Sequence, residues 1–325
     1  MRQRFESVYA PLIERYLTAK TAAGLTTKAP HSTLMMFDRL CRARGEQAIG
    51  VTPDLGDAWC RKRSNESEST LRARIGCLRG FAEFLDDLGY DSVIPPVLGR
   101  GVSRGFTPYI FTEAQMTAVF TAADAMIVDG RPNSTLPAVP ALLRFLYATA
   151  LRVGEATSLA VADVDLEAMT VLVRESKNGQ DRLVPFTAST AEMLACYRAT
   201  IRFHQDRGEP FFVRGNGLAC DPGRIYRWFK RILANTGIPH LGTSKGPRVH
   251  DIRHTAAVHA LAWMVRRGDD VYCALPVLSR YLGHQSLAAT DEYVRLTADM
   301  YPDLVGSVAD LSSYVFPEAT HVRTD

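Results

Sequence analysis

Six polar side chains, in four clusters and one lone tyrosine spread over about 140 residues, stand out as groups that could do chemistry. Arg152 lies in Ala150-Leu151-Arg152-Val153-Gly154-Glu155, just after a strongly apolar stretch where a guanidinium does little for packing. It could pair with Glu155, three residues on, or face a ligand. Lys177 sits in Ser176-Lys177-Asn178-Gly179-Gln180-Asp181, where a lysine is ordinarily just solvated. His250-Asp251-Ile252-Arg253-His254 puts His250 and Arg253 on one helical face, so an imidazole and a guanidinium can converge on one oxyanion. At a helix start, free backbone N–H groups and the positive dipole end would add to that pull. Leu282-Gly283-His284 follows, and nine residues later comes Tyr293, in Ala289-Thr290-Asp291-Glu292-Tyr293. A histidine, arginine or tyrosine at any one of these places is unremarkable, since H-x-x-R arises often by chance and a helical tyrosine is ordinarily core or rim. Their joint chemistry is that of holding an anion beside a latent phenol nucleophile.

The elements that must position these groups read as mostly helical. In 69–89 the residues Leu71, Ile75, Leu78, Phe81, Leu85 and Leu88 recur at spacings of three and four, with Gly89 suited to end the helix. Arg72 and Arg79 lie seven apart along its exposed face. Further helices are expected at about 5–20, 31–44 and 54–63. Residues 95–105, rich in Pro, Gly and Arg and without periodicity, predict a basic linker that carries Arg100 and Arg104. Thr112-Glu113-Ala114-Gln115 predicts a capping box, and 137–150 a long apolar helix. Alternating runs at 170–174 and 182–186 flank Asn178-Gly179, which predicts a β-hairpin. Ser189 and Glu192 would cap the next helix, Asp221-Pro222 opens another closed by Gly237, and helices follow at about 251–267, 276–282 and 286–297. A last apolar stripe, Leu304, Val305, Val308, Leu311 and Val315, predicts a tail helix over about 301–315.

The chain has 325 residues, 46% hydrophobic and 22% charged, enough to bury cores in two domains. No apolar run reaches the ~18 residues of a membrane span, and the N-terminus lacks an apolar signal region. The six cysteines (41, 60, 77, 196, 220 and 273) form no C-x-x-C pair, and the histidines have no cysteine at zinc spacing. Reduced thiols in a cytosol are expected rather than disulfides or a metal site. The net charge is +3, unevenly placed: 1–106 has 16 Lys and Arg against 12 Asp and Glu, and 201–285 has 13 against 6. Two basic zones of this kind could grip a polyanion from two sides.

The ordered series Arg152, hairpin Lys177, His250-x-x-Arg253, Leu282-Gly283-His284 and Tyr293 resembles the tyrosine recombinases, also called the phage integrase family, over roughly 107–297. Ala150 stands where that family commonly has glycine before Leu-Arg, Gly154 replaces a frequent serine, and Ser176 precedes the lysine where glycine is usual. No functional group is lost by these departures. The resemblance implies a mainly α fold with a small antiparallel β-sheet, in two domains that clamp DNA. These are an N-terminal helical core-binding domain (1–95), a linker (96–106) and a catalytic domain (107–325) with the tail helix.

The same resemblance implies that Tyr293 attacks a phosphodiester and forms a 3′-phosphotyrosyl link. Arg152 and Arg253 would clamp the nonbridging oxygens, whose geometry a planar guanidinium matches bidentately. His250 and His284 would donate to the phosphoryl group or accept the phenol proton, and Lys177 would protonate the leaving 5′ oxygen. Glu155 and His254 would support them, and Arg72, Arg79, Arg100 and Arg104 would contact DNA. Because the covalent link conserves the bond energy, no cofactor, ATP or metal is expected. That agrees with the lack of a phosphate-binding Gly-Lys-Ser/Thr loop or a two-metal carboxylate cluster. The implied partners are double-stranded DNA with inverted-repeat sites and three further copies of the chain in a tetramer on DNA, from a free monomer or weak dimer in a bacterial cytoplasm, without membrane contact. Integration, excision, transposition and resolution of a mobile element all fit. A type IB topoisomerase and an inactive DNA-binding accessory protein are the alternatives. The 32 residues after Tyr293 favour recombinase over topoisomerase, and intact polar positions speak against decay.

Overall fold

The computed structural model describes residues 4–99, 107–127, 130–174, 181–239, 246–283 and 288–301. The chain forms two compact units, 1–106 and 107–325.

The first unit holds four helices, α1 (Ala10–Ala22), α2 (Lys28–Arg44), α3 (Pro53–Cys60) and α4 (Glu68–Asp87). The expected apolar stripe of α4 is its buried face, and Gly89 takes a left-handed φ of +85° just beyond the helix. Trp59, Phe37, Phe81 and Tyr9 pack edge-on or nearly so in the centre of this core. Inside it, Arg74 is almost fully buried, donating from Nε and Nη2 to Glu66 at 2.8 Å each, from Nη1 to the Trp59 carbonyl, and from Nη2 to the Arg61 carbonyl. The hydrogen bonds from Arg74 hold Glu66 well below the usual carboxylate range, at about 2. Helix α1 starts at Ala10, not at about 5, because the Glu6 and Ser7 N–H groups donate to the buried Asp38 carboxylate and tie that segment down as a loop.

In the second unit, α5 (Glu113–Asp124) opens with the expected reciprocal Thr112–Gln115 box, both bonds being formed at 3.0–3.1 Å. Then come α6 (Val139–Thr149), the short α7 (Val153–Ser158), and strands β1 (Val164–Asp165), β2 (Thr170–Val173) and β3 (Arg182–Pro185). The sheet is antiparallel in the order β1-β2-β3, and β2 meets β3 with Val173 opposite Arg182. Among the described residues five further helices follow: α8 (Ala188–Ala199), α9 (Pro222–Thr236), α10 (Val249–Arg266), α11 (Val271–Leu282) and α12 (Ala288–Met300). Helix α10 packs against α6, α11 and α12 and is the element around which the site is assembled. Two readings of helix ends need correction. Thr187, not Ser189, caps α8, its hydroxyl accepting from the Thr190 N–H. Helix α11 begins at Val271 rather than 276, since Cys273 and Ala274 already donate to the Asp270 carbonyl and Pro276 lies inside the helix. None of the described helices is long and apolar enough to cross a membrane.

Candidate active site

Helix α6 ends in a left-handed turn at Ala150 (φ 50°, ψ 26°), the very position where the sequence departs from a glycine. An alanine there carries a strain of about 1 kcal/mol that glycine would not. The turn reverses the chain so that Arg152, in extended conformation, becomes the N-terminal flank of α7. Glu155 then accepts from the Arg152 backbone N–H at 3.0 Å and from its Nη1 at 2.7 Å, so the expected Arg–Glu pairing exists and fixes the arginine's root. A residue that sequence reasoning did not single out completes the group: Arg182 of β3 donates to the other edges of Glu155 from Nη1 (3.2 Å) and Nη2 (2.7 Å). Burial by itself would raise the Glu155 carboxyl, but Arg182 and Arg152 together hold it at about 2. A signal for Arg182 was present in the strand's parity. Arg182 and Val184 share one face and Val184 is fully buried, whereas Leu183 between them is 63% exposed.

His250 and Arg253 lie in the first turns of α10, as expected. Arg253 is 2% exposed, and its guanidinium donates to two backbone carbonyls, Ala150 from Nη1 and Leu282 from Nη2, at 2.6 Å each. One side chain thus fastens the turn before Arg152 to the end of α11, immediately before Gly283 and His284. Burial, with Arg152 alongside, lowers Arg253 to about 10, which leaves it cationic at neutral pH. For His250, burial and then the charges of His254, Arg253 and Arg248 bring the imidazole down to about 4. It is neutral at pH 7 and can accept a proton on one nitrogen while donating from the other. His254 stands edge-on to His250, with ring centroids 4.9 Å apart, and 5.7 Å from the ring of Tyr293. Tyr293 itself is 3% exposed, on α12 among Val258, Leu261, Leu278 and Leu282. Residues 152, 155, 182, 250, 253, 254 and 293 are therefore brought together by α6, α7, β3, α10, α11 and α12.

Of the other expected site residues, Lys177, His284, Arg100 and Arg104 lie outside the described residues, as does the tail helix from 302 onward. Arg72 and Arg79 belong to the first unit. Arg79 pairs with Glu83 at 2.9 Å and donates to the Pro95 carbonyl. A strongly basic surface that the charge count located only coarsely lies on α9. Ile225, Phe229, Ile232 and Leu233 face the core, while Arg227, Lys230 and Arg231 are exposed on the other side. Arg224, Arg227 and Arg231 line, with Arg131 and Trp228, a recess of about 210 Å³. The described residues contain no cluster of His, Cys, Asp and Glu that could hold a metal ion.

Residues 111–300 match the model of the phage integrase family. The integrase/recombinase y4rB of Sinorhizobium fredii is 30% identical over 294 residues, covering 89% of this chain and 93% of the relative. Tyrosine recombinase XerC of Rhizobium meliloti is 30% identical over 238 residues, 72% of this chain and 68% of the relative. Among solved structures, XerH recombinase bound to its difH substrate superposes with a TM-score of 0.59 at 16% identity, over 90% of this chain and 96% of that one. A lambda integrase dimer on a COC′ core site gives 0.60 at 15% identity, over 89% and 77%. These two likenesses are of fold. With a family model spanning more than half its length and a 30% identical relative matched almost end to end, the chain belongs to the phage integrase family, the tyrosine site-specific recombinases.

Proposed function

We propose that this recombinase cuts double-stranded DNA with Tyr293 and reseals it through a 3′-phosphotyrosyl intermediate. The Tyr293 oxygen attacks the phosphorus in line, the bond to the 5′ oxygen breaks, and a free 5′-hydroxyl leaves. Resealing is the reverse reaction with the 5′-hydroxyl of a second strand. Arg152 and Arg253 hold the two nonbridging oxygens on which charge accumulates. Neutral His250 donates an N–H to the same group and His284 a second. His250 or His284 accepts the phenol proton, and the His254 ring, centred 5.7 Å from that of Tyr293 and 4.9 Å from that of His250, supports them. Lys177 protonates the departing 5′ oxygen. The observation that supports this reading most directly is Arg253, whose side chain ties Ala150 and Leu282 together and so assembles groups some 140 residues apart around a buried cation.

The exposed basic side of α9 and Arg72 of α4 suit sequence-independent contacts with the DNA backbone, where each neutralised phosphate adds affinity that salt removes. We also place the first unit as the core-binding domain, the working form as a tetramer on inverted-repeat DNA, and the setting as a bacterial cytoplasm. The deciding experiment incubates the protein with a library of duplexes having random arms, and isolates covalent protein–DNA adducts on denaturing gels. Recovery of a distinct sequence joined through Tyr293 is expected. An adduct that survives Tyr293→Phe would place the nucleophile elsewhere.

A further inference from the structure

Arg182 touches three parts of the site without being one of its reacting groups. It is the first residue of β3, the strand that follows Lys177 in the sequence, and its backbone is paired with Val173. Its guanidinium grips Glu155, which in turn grips Arg152. Its other surface lies against Gly283, the neighbour of His284. A Cβ built on Gly283 would come within 3.0 Å of Nη1, 3.1 Å of Cζ and 3.2 Å of Cδ of Arg182, and Gly283 has φ +67°. The positive φ and the close approach of the guanidinium both favour glycine at that position.

Packing alone does not explain an arginine there. The side chain is only 10% exposed, and its Nε meets no acceptor among the described residues. A buried charge among two further guanidiniums is a poor filler, and an apolar residue of similar volume would serve a purely structural role as well or better.

We infer that Arg182 is a positioning residue, which sets the Glu155-held Arg152 and the Gly283 end of α11 in register with strand β3. The inference rests on the reading of Arg152 and Tyr293 given above. Its action runs through Glu155 to the phosphate clamp, not through the leaving group. A carboxylate released from Arg182 still pairs with Arg152 but no longer fixes its direction. A displacement on the order of 1 Å at a clamp costs about 100-fold in rate.

The test uses the full chain and the duplex captured with the parent protein, nicked so that cleavage is trapped, under single-turnover conditions at saturating protein. Arg182→Met and Arg182→Lys are compared with the parent for cleavage rate, duplex binding and urea unfolding. Arg182→Lys keeps the charge beside Glu155 and so keeps the fold if Met does not. We expect its cleavage to fall by about 10- to 100-fold, with duplex binding within threefold, under conditions where the unfolding curve shows the variant fully folded. Gly283→Ala, which displaces the guanidinium without removing it, shows a loss of the same kind. Replacing the 5′-bridging oxygen by sulfur does not restore any of these variants, although it restores Lys177→Ala. Adding Glu155→Gln to Arg182→Lys causes little further loss, because both act on one path. Parental cleavage by Arg182→Lys, a loss fully matched by weaker binding or unfolding, or rescue by sulfur would each overturn the inference. If instead the parent captures no duplex, or Tyr293→Phe still forms the adduct, the underlying reading of the site is what fails.

Discussion

Arg253→Lys should damage the fold as well as the chemistry, and by an amount the structure allows one to work out. Arg253 spans the carbonyls of Ala150 and Leu282, each 2.6 Å from a different terminal nitrogen. Lysine offers a single nitrogen, which can reach one of those carbonyls but not both. Losing one bond to a charged donor removes about 1.5–3 kcal/mol, part of which is the cost of a carbonyl left buried without a donor. Some of this is offset, because Arg253 is itself desolvated beside Arg152. A net loss of about 1–2 kcal/mol is expected. For a unit of this size that lowers the unfolding midpoint by roughly 2–8 °C. Urea titration followed by tryptophan fluorescence measures it, and covalent-adduct formation well below the new midpoint measures the chemistry separately. Cleavage should fall at least 100-fold even where the protein is fully folded, because the ammonium cannot present a fork to two oxygens. If the variant unfolds within about 0.5 kcal/mol of the parent, the double tie contributes nothing and the account of how the site is assembled is wrong.

Tyr293→Phe should retain duplex binding and form no adduct, read on denaturing gels against native gels. Lys177→Ala should lose most cleavage of ordinary DNA yet cut a 5′-bridging phosphorothiolate near the parental rate. Equal failure on both substrates would assign Lys177 another role. Acid should destabilise the second unit in two windows. Folded His250 sits near 4 against an ordinary 6.5, so its contribution is complete above pH 6.5 and is lost as pH falls towards 4. That difference amounts to about 3 kcal/mol. Glu155, held at about 2 against 4.5, contributes fully above pH 4.5 and is lost between 4.5 and 2. Urea unfolding of His250→Gln from pH 7 to 4 should lack the upper window, and an unchanged profile would contradict the assignment.

The parts legible in the sequence were those with periodicity or a cap. The stripe of α4, the Thr112–Gln115 box, and the two alternating runs that became β2 and β3 all follow from local pattern. Helix α7 and strand β1 escaped because six and two residues are too short for a period to show. The chemical residues were found by type and order, yet their wiring was not. Nothing local to Arg253 says that it would grip carbonyls 103 and 29 residues away, and Arg182 was not singled out at all. His254 looked like a support, whereas the fold places its ring between His250 and Tyr293. Ala150 is a case where the departure from glycine marked a left-handed turn that pattern reading had no reason to expect.

Arg253 has a thermodynamic consequence of its own. Its hydrogen-bond partners are neutral carbonyls, and the carboxylate of Glu155 pairs with the guanidiniums of Arg152 and Arg182, so the three described arginines of the site carry more charge than that carboxylate balances. A dianion or phosphodiester entering it supplies a counter-ion that the folded chain lacks and that the unfolded chain would not bind. By mass action, occupancy at 100 times the dissociation constant adds about 2.7 kcal/mol to stability. Sulfate and inorganic phosphate should therefore raise the melting temperature of the free protein more than chloride does at equal ionic strength. They should also compete with DNA for the same place, so that the buffer anion becomes a hidden ligand in every measurement of this enzyme's stability and affinity.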